Sequence, residues 1–108
     1  MQVLDHEPYS WFLFEAGDAL YLDANCNHGA FGYSFMICLT AAEAQRYRDE
    51  GRGYLSWLAQ DIHNSVPILS ASTSPYKPRK ASQEEEAQAS AAVSAWQADR
   101  VRSLKRGR

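Results

Sequence analysis

The chain lacks most of the features that announce a function. Its longest mainly apolar run, Tyr33 to Leu39, falls far short of the ~20 residues a membrane-spanning helix needs. The opening residues, MQVLDHEPYS, carry Asp5 and Glu7 and no basic, apolar start, so no secretory signal is expected. Cysteine is scarce: two in 108 residues cannot build a disulfide framework, and a reducing, cytoplasmic setting is expected. A phosphate loop, a dinucleotide fingerprint, a G-x-S-x-G elbow and an H-E-x-x-H pair are all missing, and with them the enzyme classes they define. No internal repeat is visible.

What is present is aromatic and unevenly charged. Apolar residues make up 45% of the chain and aromatics 12%, enough for one domain with a core that needs no staples. Residues 1–76 hold three basic residues (Arg46, Arg48, Arg52) against nine acidic ones, a net of −6. Residues 77–108 hold eight basic and four acidic, a net of +4. An acidic body repels nucleic acid and attracts basic partners. The basic stretches KPRK and RVRSLKRGR have only Tyr76 and Trp96 near them, too few stacking platforms for a single-strand binder, so no nucleic acid is expected.

The first forty residues read as an antiparallel meander. A short strand, QVLDH, precedes Pro8, and SWFLFEA (10–16) is followed by a Gly17-Asp18 turn signal. In ALYLDANC (19–26), Leu20, Leu22 and Ala24 share one face while Tyr21, Asp23 and Asn25 share the other. In GYSFMICL (32–39), Tyr33, Phe35, Ile37 and Leu39 oppose Ser34, Met36 and Cys38. Thr40 with Glu43 forms a capping box that opens a helix. Its apolar stripe runs through Ala44, Tyr47, Gly51, Tyr54, Leu55, Leu58 and Ile62, in phase across Gly51 and Gly53, and predicts one helix of about six turns rather than two. VPIL (66–69) is expected to be an edge strand, because Pro67 cannot donate to a central ladder. The Ser- and Pro-rich residues 71–82 read as a linker. Ser82 with Glu85 forms a second capping box, and an Ala- and Glu-rich helix follows within residues 83–108, with a frayed basic tail.

The fold expected is therefore α+β: an antiparallel sheet of three to five strands, one long helix on one face (together residues 1–70), and a separate C-terminal helix after the linker.

The stretch DANCNHGAFGYS (23–34) is the one place that offers chemistry. Cys26 and His28 fit a nucleophile and base, which would make a small cysteine-dependent enzyme. A base and a third orienting group are needed, and His6 and His63 are distant in sequence. The same residues between two alternating strands make an ordinary hairpin turn, with Asn and Gly supplying left-handed positions. That reading is preferred, with both residues in an exposed turn and no metal, since zinc needs three or four ligands at defined spacing. If the loop centres near residues 29 and 30, Cys26 faces Tyr33 and Cys38 faces Tyr21. The two thiols then lie about 17 Å apart along the strands, too far for a bridge. His63 near a helix C-terminus suits the helix dipole, and Asp49-Glu50 suits a solvated face.

These readings favour a non-enzymatic binding or regulatory protein, of immunity or accessory type, with no cofactor. Trp11 and Leu13 point one way and Phe12 and Phe14 the other, so both sheet faces carry large apolar groups. The long helix can cover only one. A homodimer or a protein partner is expected to cover the second face, through Trp11, Leu13 and Trp96.

Overall fold

A computed structural model describes residues 1–28, 31–69 and 71–106. Four strands, β1 (Gln2–Glu7), β2 (Trp11–Ala16), β3 (Ala19–His28) and β4 (Phe31–Cys38), form one antiparallel sheet in the order β1-β2-β3-β4. Among the described residues three α-helices follow, α1 (Ala41–Glu50), α2 (Arg52–Ser65) and α3 (Gln83–Arg106), with a short 3-10 turn at Lys77–Arg79 before the last. The class is α+β, with a long C-terminal helix after a connecting segment, as the sequence predicts.

Local chemistry sets the register. Ala16 pairs with Ala19, so Gly17 and Asp18 form a two-residue turn, and Gly17 takes a φ of 60°, a conformation that glycine adopts without a Cβ penalty. Across β3 and β4, Cys26 pairs with Tyr33 and Tyr21 with Cys38, the register expected from the loop position. Both cysteines are free. The centre of that hairpin, residues 29 and 30, lies outside the described residues.

Alternation then divides the side chains between two cores. On the first face, Leu13, Leu22, Ala24, Cys26, Phe35 and Ile37 are buried under Tyr54, Leu55, Leu58, Ala59 and Ile62 of α2. On the second face, Phe14 and Met36 pack against Ala89 and Ala92 of α3 and against Ala81. Phe12, Tyr21, Val3 and Val93 are half-buried around them. The sheet is thus the middle of three layers.

The helical layer on the first face is in two pieces. Gly51 sits between α1 and α2 with φ 78° and ψ −155°, a region essentially reserved for glycine. Its N–H closes α1 on the Tyr47 carbonyl at 2.7 Å. The apolar stripe continues in phase because Ala44 and Tyr47 of α1 pack against the same core that Tyr54, Leu55, Leu58 and Ile62 of α2 fill, which is why its continuity conceals the break. Thr40 and Glu43 form the capping box at the start of α1. VPIL is a turn rather than an edge strand. Val66 adopts φ 46° and ψ 59° and ends α2, its N–H on the His63 carbonyl, so the chain leaves the helix in a left-handed bend that cannot continue as a strand.

The connecting segment carries the chain from one face to the other. Tyr76 is buried in the first core and Ala81 in the second. Between them Lys80 bridges to Ile37, and the Ala81 N–H donates to the Met36 carbonyl at 2.8 Å. The segment therefore covers part of the outer edge of β4. Arg79 anchors it, pairing with Glu43 and donating to the Cys38 carbonyl. Ser82 and Glu85 then cap α3 reciprocally.

Candidate functional site

Where α3 crosses the second face, it leaves a cavity of about 270 Å³ beside its buried alanines. Phe14 and Met36 from the sheet and Ala89 and Val93 from α3 supply apolar walls. Asp23 and Ser34 from the sheet and Glu86 and Ser90 from α3 supply the polar groups. An adjoining hollow of about 200 Å³ shares Asp23 and Ser34 and runs to the β1–β2 turn, where Tyr9 is 96% exposed. Tyr9 holds a φ of 64°, unusual for a non-glycine residue. The Asn25 side-chain amide donates to its carbonyl at 2.9 Å and fixes the turn.

Asp23 is the chemically unusual member. It lies on β3 opposite Phe12 on one side and Met36 on the other, on the sheet face that α3 covers. Burial pushes its carboxyl up to about 6, the nearby Glu86 carboxylate adds to the rise, and a hydrogen bond with Ser34 opposes it. Among the described residues no cation pairs with Asp23. Glu86, by contrast, has Lys80 Nζ at 2.5 Å. A carboxylate that is desolvated, uncompensated and set in a cleft is a mark of a functional position.

Three residues were expected together on a partner surface, and the structure separates them. Trp11 is 1% and Leu13 0% exposed, both in the core under α2, and the Trp11 indole N–H donates to the Ser56 hydroxyl at 3.1 Å. Trp96 lies on the opposite face, edge-on to His6 and Phe12, with the Arg100 guanidinium over its ring. The expectation failed because β2 sends Trp11 and Leu13 to the face that α2 covers, while α3, despite its narrow alanine stripe, covers the other.

The Cys26–His28 pair does not form the exposed turn expected. β3 continues through His28, and the Cys26 side chain is fully buried on the first face, its thiol pushed up by burial and then by neighbouring Asp23, with Tyr33 opposing. A thiol so placed is a weak nucleophile. His63 closes the end of α2 near the β3–β4 hairpin, its Nε2 lying 2.6 Å from the Asn27 carbonyl. Asp49 takes a hydrogen bond from Gln45, and Glu50 pairs with Arg46 on the solvent face of α1. Among the described residues no group of three His, Cys, Asp or Glu side chains is placed to hold a metal. Among them also no helix is long and apolar enough to cross a membrane.

Comparison with protein-family models, with curated proteins and with solved structures finds no match.

Asp23 escaped the sequence reading as a site residue. Two signals bear on it: it shares a face with Tyr21 and Asn25, and that face carries Phe12, Phe14 and Met36 and so needs a cover. A carboxylate under a cover is desolvated, and the two observations together point to it.

Proposed function

We propose that the protein is a non-enzymatic protein-binding module, of regulatory or accessory type, that engages its partner at the groove between α3 and the sheet. The observation that carries this reading is Asp23: a half-buried carboxylate with no cation beside it among the described residues, lining a cavity open to solvent. Such a group lowers the stability of the fold, and retaining it makes physical sense where a ligand completes its pairing. The acidic body, net −6 over residues 1–76, adds long-range attraction for a basic partner. The alternative, a cysteine-dependent enzyme using Cys26 and His28, has less support, because burial holds the Cys26 thiol in its protonated form.

Affinity capture from the native host, with wild type and Ser90→Phe side by side, tests the reading. Ser90 lies on an exposed position of α3 at the rim of the cavity, so phenylalanine there fills the groove without entering either core. A protein retained by wild type and lost by Ser90→Phe supports the proposal. Equal retention by both, or capture by neither, contradicts it.

A further inference from the structure

Resting on that reading of the groove, the geometry points to its occupant: a single lysine or arginine side chain from a basic segment of the partner protein, its cationic head on Asp23. The shape of the site makes the argument. Lysine and arginine are apolar along the stem and charged at the tip. The cavity offers the same two kinds of group, with Phe14, Met36 and Val93 in its apolar lining and the half-buried Asp23 carboxylate in its polar lining.

Size narrows the choice. A volume of about 270 Å³ has room for one extended side chain. Charge narrows it again. Lys80 already occupies Glu86 at the rim, so the unmatched charge in the cavity is that of Asp23. A carboxylate has about four acceptor positions, enough to take more than one N–H from an incoming cationic head. The adjoining hollow of about 200 Å³, toward Tyr9 and Glu7, gives the backbone that carries the side chain a place to lie. This second volume favours a protein side chain over a free alkylamine.

Titration of the full chain with acetyl-arginine amide and acetyl-lysine amide, followed by NMR shifts, tests the assignment. Acetyl-norleucine amide serves as the uncharged control and n-butylammonium as the free amine. Capped residues of this size bind in about the millimolar range. The expected result is shifts at Asp23, Ser34 and Val93 with at least one of the capped cations, and affinity about tenfold weaker in Asp23→Asn. Norleucine amide binding as well as the cations, an unchanged affinity in Asp23→Asn, or no binding of either cation to wild type would overturn the inference. So would n-butylammonium binding as tightly as the capped residues, since the site would then select an amine and not a protein side chain. The host-capture experiment separates this inference from the broader one. If Ser90→Phe loses the partner and Asp23→Asn keeps it, the groove is the docking site and the cationic occupant is wrong. If both variants keep it, the groove itself is wrong.

Discussion

Asp23 on β3 and Glu86 on α3 line one cavity, yet among the described residues only Glu86 has a cation beside it, Lys80 at 2.5 Å. The two carboxylates therefore face different problems. Glu86 is paired at the exposed rim, where such a bridge contributes little. Asp23 is desolvated and repelled by Glu86, with one hydroxyl to offset both effects. This asymmetry makes Asp23 a liability to the fold and an attractive point for a cationic ligand.

The liability is measurable. Asp23 has a folded-state pKa of about 6 against an ordinary 3.8, so the native state holds its proton more tightly than the unfolded chain. The stability it contributes is full below about pH 4 and is lost as pH rises through about 6. Asp23→Asn should remove that dependence and raise stability at pH 7.5 by about 1–3 kcal/mol, with little gain at pH 4. Urea unfolding at the two pH values measures it. A destabilised variant at pH 7.5 would mean that Asp23 is already paired.

The break between α1 and α2 gives two glycines opposite roles within three residues. Gly51 holds φ 78°, so Gly51→Ala should destabilise the fold by about 1–3 kcal/mol. Gly53 lies in the first turn of α2, and a Cβ there meets nothing within 4 Å. Gly53→Ala should stabilise by up to about 1 kcal/mol. Thermal unfolding of the pair reads the signs directly. The same sign for both would mean that the helix runs straight through.

The two thiols should differ in reactivity. Cys38 is exposed and Cys26 is buried. Under native conditions a maleimide should label Cys38 alone, with Cys26 reacting only as the protein unfolds. Fast labelling of Cys26 at pH 6 would revive the enzyme reading.

Leu58 is 1% exposed in the first core, and Leu58→Ala should lower stability by about 2–5 kcal/mol. Arg46→Ala, on the solvent side of α1, should leave the unfolding midpoint close to wild type, although Arg46 pairs with Glu50 and covers the Tyr54 ring. Chemical denaturation of the two variants compares them. Equal effects would mean that the helix faces are misassigned.

Much of this architecture is legible in the residues themselves. Strict alternation in ALYLDANC assigns Leu20, Leu22 and Ala24 to one core and Tyr21 and Asp23 to the other face. The hairpin register follows from the loop position, and both capping boxes follow from Thr40-Glu43 and Ser82-Glu85. The hidden parts are tertiary. Periodicity cannot distinguish one helix from two that pack against the same core, so the Gly51 break is invisible to it. Val66 is β-branched and disfavoured at positive φ, so nothing local announces the left-handed bend that replaces the expected strand. The alanine stripe of α3 looks too thin to cover an aromatic face, but small residues let a helix lie close, and Ala89 and Ala92 are buried against the sheet. That misjudged cover left one sheet face bare for a partner, Trp11 and Leu13 were set on it although α2 buries them, and Asp23 looked like an ordinary outward-facing strand residue.

The central claim is that Asp23 is a desolvated carboxylate that a cation completes. By linkage, a ligand that binds the ionised form must lower the pKa of that group. The charged neighbours to follow alongside it are Glu86 and Lys80 at the rim and Glu7 at the far end of the groove. A carbon-13 NMR titration of the Asp23 carboxyl, with and without acetyl-arginine amide, measures this directly. The account predicts a midpoint near pH 6 in the free protein and a fall toward the ordinary carboxylate range with the probe bound. An ordinary midpoint near 4 in the free protein, or a midpoint the probe leaves unmoved, would contradict it.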